Sequence, residues 1–84
     1  MKYDYPGGVE EWERPIVEKF EDEILPFTIK HGPRIGEAAM KGDQVAEEII
    51  RRQQMFCEGL PEMRGMNFRM LVAALKTWSQ NEKV

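Results

Sequence analysis

The chain is poor in the residues that do covalent or metal chemistry, with one cysteine, Cys57, and one histidine, His31, among 84 residues. A single thiol cannot close an internal disulfide, and small secreted domains normally depend on several, so a reducing, cytoplasmic setting is expected. His31 stands in KHGP without the companions of a catalytic triad or a multi-histidine zinc site, and is read as an exposed loop residue. Cys57 has no evident base beside it and is read as a small buried hydrophobe. No apolar run approaches the roughly 20 residues that cross a bilayer. The start, MKYDYPGGVEEWE, has neither the basic segment nor the apolar stretch of a signal peptide. The Glu-x-x-His pairs of di-iron bundles are missing, and GPRIG fits neither the P-loop nor the dinucleotide fingerprint. No catalytic residue, cofactor, metal or small-molecule substrate is therefore expected.

What is present is ordinary for a folded chain: 42% hydrophobic and 32% charged residues, too apolar for wholesale disorder. The net charge of −3 is unevenly placed. Residues 1–30 carry eight acids and four bases, whereas residues 31–84 carry seven acids and eight bases. An acidic first third suits a solvated helix face or the steering of a basic partner.

Apolar spacing is helical throughout, with no strand-like alternation, and predicts an all-α fold: a small irregular bundle of three main helices plus one short helix. One domain over residues 1–84 is expected, with residues 1–8 as a flexible N-terminal arm. The first helix covers residues 15–25, where Ile16, Val17, Phe20 and Ile24 share an arc of about 100° and Pro26 marks a stop. Val9 extends the same stripe, so a start near Gly8 with a bend at Pro15 fits equally well. Pro33 opens a short helix over residues 34–41 that Gly42 closes. Asp43 caps a third helix running to about Cys57, with Glu47 and Arg51, and Glu48 and Arg52, at the i,i+4 ion-pair spacing. The last helix starts near Asn67 and ends near Ser79. Its apolar residues, from Phe68 to Trp78, span about 200° of circumference. Either this helix is central, touched on two sides, or another molecule covers part of it.

Sulfur is concentrated in MFCEGLPEMRGMNFRM, residues 55–70. Met63, Met66 and Met70 would converge on a soft copper(I) ion only in a continuous helix, and Gly65 argues against one. Methionine as core filler or as an adaptable contact is the simpler account. Met55 points away from its helix's apolar arc, among Gln44, Glu48 and Arg51, as a contact residue would. Gln53 presents the reverse case, an amide within the apolar arc, which suits either a satisfied group or a polar residue at a helix interface. The expected function is a non-enzymatic protein–protein interaction module, an adaptor, inhibitor or assembly factor. It would self-associate as a homodimer through Met55, Met66, Met70, Ala74 and Trp78. The alternative is a small nucleic-acid-binding protein using Arg51, Arg52, Arg64, Arg69 and Lys76. Against it stand the acidic total and a ten-residue connection to Asn67, too long for a helix-turn-helix.

Overall fold

Two prolines that mark helix stops in the sequence, Pro26 and Pro33, lie inside one continuous helical rod. The computed structural model describes residues 3–82. The rod opens with a 3₁₀ turn, Glu11–Glu13, and continues as α1, Arg14–Lys19. A π turn, Phe20–Ile24, leads into α2, Leu25–Met40. In the π turn the Leu25 N–H donates to the Phe20 carbonyl, five residues back. The widened turn directly precedes Pro26, where a proline ring would otherwise press on the carbonyl four residues earlier. Pro33 is exposed, so the hydrogen bond it omits lies on the wet side of the rod. The helix expected over residues 34–41 is thus the second half of α2.

Gly42 ends the rod with φ 92°, a left-handed residue that lets its N–H reach Ala39 O and the Asp43 N–H reach Ala38 O, both at 3.0 Å. The Asp43 carboxylate then accepts from the Val45 and Ala46 amides at 2.9 and 3.2 Å, capping α3, Gln44–Glu58. Both signals act as the sequence suggests. Of the expected ion pairs, Arg52 meets Glu48 at 3.0 Å, but Arg51 also turns to Glu48 and leaves Glu47.

After Gly59 and Leu60 a 3₁₀ turn, Pro61–Met63, feeds α4, Arg64–Glu82. This helix begins three residues before Asn67 and passes through Gly65. Asn67 is fully buried rather than a cap, and its Oδ1 accepts from Arg52 Nη1 at 2.8 Å.

The rod, α3 and α4 enclose one apolar core, with Val17, Phe20, Phe56, Leu71 and Trp78 shut off from solvent. Phe20 and Phe56 meet with ring centroids 4.4 Å apart, tying the rod to α3. The stretch expected as a flexible arm lies against the bundle from Tyr3 onward; residues 1–2 are outside the described residues. Tyr5 is buried, donates to Glu21 Oε2 at 2.9 Å and sets its ring edge-on to Phe56. Arg64 pins the arm, with Nη2 donating to Pro6 O at 3.0 Å and Nη1 to Gly8 O at 3.2 Å. The same Nη1 meets Glu13 Oε2 at 2.7 Å in a buried ion pair. Gly7 allows the bend: its φ is 74°, and a Cβ there would stand 2.7 Å from Pro61 Cγ.

Candidate interaction surface

The five residues expected to form the contact surface are not brought together. Trp78 is 1% exposed, and Ala74 is also buried. The indole packs edge-on to Phe27 at 6.2 Å, faces His31 at 5.5 Å, and has the Arg34 guanidinium 5.4 Å from its centroid. His31 is therefore a half-buried core neighbour in α2, not a loop residue. Met66 and Met70 are half-buried, and Met70 and Ala74 line a shallow groove of about 320 Å³ shared with α3. Only Met55 is exposed, as its helical angle indicates. The physical reason is the position of α4. Its apolar circumference is divided between two neighbours, α3 on the Met70 and Ala74 side and the rod on the Leu75 and Trp78 side. It is the central helix of the two alternatives.

The basic set is likewise dispersed. Arg64 is buried beneath the N-terminal arm, and Arg52 is committed to Glu48 and Asn67. Arg51 pairs with Glu48 at 3.4 Å, and Arg69 and Lys76 are exposed on α4. The connection between α3 and α4 is shorter than expected, so its length is no obstacle to a helix-turn-helix. The withdrawal of Arg64 is.

The open surface lies on the opposite side of the molecule from α4, between α2 and α3. A groove of about 580 Å³ runs there, walled by Leu25, Thr28, Ile35, Ile49 and Ile50 and by the bare backbone of Gly32 and Gly36. Tyr3 and Asp4 reach one end of it. Ile50 in its wall is 45% exposed, and two further large apolar side chains of α2 stand in solvent, Ile29 at 68% and Met40 at 91%. At 100° per residue, Ile29, Gly32, Gly36 and Met40 share about 80° of α2. Gln53 also lines the groove, and its Oε1 is enclosed without a hydrogen-bond partner. These residues are hidden in the sequence by the prolines and glycines around them. Continuing the helix through HGP is the one step that would align them.

Chemically the groove offers little reactivity. Burial pushes the Cys57 thiol up from its ordinary value of 9.0, with Glu58 and Glu21 adding to the effect, so it stays protonated near neutrality. Among the described residues no group of three or more His, Cys, Asp or Glu is placed to hold a metal ion. No helix among them is long and apolar enough to cross a membrane. Compared with known protein families, curated proteins and solved structures, the chain matches none.

Proposed function

We propose that the chain is a non-catalytic protein-interaction module acting in a reducing, cytoplasmic setting, and that its contact surface is the α2–α3 groove. The observation that carries this is the open apolar groove itself, walled by Leu25, Ile35, Ile49 and the half-exposed Ile50, with Ile29 and Met40 also exposed on α2. Scattered apolar residues are normal on any surface, but a concave face walled by apolar side chains is what partner helices occupy. Inhibitor, adaptor and assembly factor all use such a face.

The test is a comparison of the full chain with Ile29→Lys and Ile50→Lys, both at solvent-facing positions that leave the core intact. Self-association by sedimentation and capture of a protein from native lysate are measured for each. The module binds in at least one assay, and both lysine variants lose that binding. A wild-type monomer that captures nothing, or binding unchanged by both variants, contradicts the proposal.

A further inference from the structure

Trp12 is 62% exposed and takes no part in the apolar core. An indole is the largest apolar surface a residue can leave in water, and tryptophan is enriched where proteins hold their partners. The ring is not loose. Its Nε1 donates to Glu10 Oε2 at 3.1 Å, and it forms one wall of a cavity of about 220 Å³. The arm supplies Gly7 and Gly8 to that cavity, and the turn before α4 supplies Pro61 and Glu62. Arm and turn come together closely enough that a Cβ on Gly7 would stand 2.7 Å from Pro61 Cγ. The cavity is therefore built from three segments that the fold holds in place.

Its charge is of one sign. The ionisable side chains that line it are all glutamates, Glu10, Glu13 and Glu62. Glu13 is neutralised by Arg64 beneath the arm. Glu10 and Glu62 have no ion pair among the described residues, and Arg14, the one base between residues 3 and 18, turns to Glu11 at 3.9 Å. Two uncompensated carboxylates beside an aromatic face are complementary to a cation: the negative charge attracts it from a distance, and the indole holds it at contact. An anionic or purely apolar ligand would gain nothing from the glutamates.

Size narrows the ligand further. Pockets that enclose a drug-sized molecule measure roughly 300–1,000 Å³, so this smaller cavity suits a single side chain. Leu60 precedes Pro61 in the turn and is 63% exposed, which gives whatever carries that side chain an apolar contact outside the cavity.

We infer that this cavity takes a lysine or arginine side chain from a basic segment of a partner protein, with the cation on the Trp12 ring and its charge met by Glu10 and Glu62. The acidic excess of residues 1–30, eight acids to four bases, steers the approach. The site is separate from the α2–α3 groove and does not depend on it.

The experiment is an NMR titration of the isotope-labelled full chain with a short peptide rich in lysine and arginine, because the indole N–H signals of Trp12 and Trp78 report the two rings separately. The Trp12 indole and the amides of Gly7 and Gly8 move, while the Trp78 indole stays fixed. A glutamate-rich peptide of equal length moves none of them, and added salt weakens the basic peptide's binding steeply. Read at Gly7 and Gly8, Trp12→Ala weakens binding about tenfold and Glu62→Gln about threefold. Both side chains are exposed, so circular dichroism of the two variants matches the wild type. The inference is overturned by a Trp12 indole that stays fixed at millimolar peptide, or by binding that both variants leave unchanged. Free spermidine binding as tightly as the peptide overturns the partner protein as the source of the cation. None of these outcomes bears on the groove, which Ile29→Lys and Ile50→Lys test at another surface.

Discussion

At the scale of single residues, Trp78 and Tyr5 separate stability from contact. The indole is enclosed by Phe27, His31 and Arg34, so Trp78→Ala is expected to cost about 3–5 kcal/mol in urea unfolding. A loss under 1 kcal/mol would mean that Trp78 is not a core residue. Tyr5 sets an alkaline limit. Burial first, and the hydrogen bond to Glu21 second, hold its phenol above its ordinary 10.0. The unfolded phenol ionises near that value while the folded one resists, so stability is intact below about pH 10 and falls as pH rises beyond it. Tyr5→Phe should flatten that fall in unfolding titrations, and an equally steep decline in the variant would refute the assignment. Met55 shows what a helical angle can reveal, since its place on the polar face follows from spacing alone. Ala74 and Trp78 show the limit. Periodicity measures how much of a helix is apolar, not how many neighbours stand ready to cover it.

At the scale of elements, the end signals that depend on local chemistry were legible, and those that depend on packing were not. Asp43 and Gly42 act through hydrogen bonds within a few residues, so their roles could be read directly. Pro26 and Pro33 oppose a helix locally, yet the rod persists because its inner face is buried along most of its length and a π turn makes room for the first ring. Asn67 misled in the same way, as a polar residue that looks like a cap but serves a buried bond to Arg52. The N-terminal arm depends on a pair 51 residues apart in sequence, Glu13 and Arg64, which no local pattern could show. Glu13→Ala would leave the guanidinium buried and uncompensated, at a cost of about 3–5 kcal/mol. Chemical denaturation should show that loss, and Glu13→Leu with Arg64→Met should recover part of it. No recovery in the double variant would mean that the arm is held by something other than this pair.

At the scale of the whole molecule, the all-α bundle was evident from apolar spacing, while the side that stays open was not. A wide apolar helix looked like an unfinished surface, yet its two neighbours, α3 and the rod, cover it between them. The exposed large apolar side chains of α2, Ile29 and Met40, stand instead among glycines, prolines and charged residues, where no apolar stripe shows in the sequence. An 84-residue chain buries only roughly 60% of its unfolded surface, so covering Ile29, Met40 and Ile50 would also raise its stability by mass action. Unfolding midpoints should therefore climb with protein concentration, and a midpoint constant over a hundredfold range would contradict self-association. The most direct measurement is a dilution series followed by backbone amide NMR shifts. The amides of residues 29–40, with those around Ile50, are expected to move with concentration while those flanking Met66, Met70 and Trp78 stay fixed. Shifts confined to α4, with α2 unmoved, would contradict the placement of the contact surface.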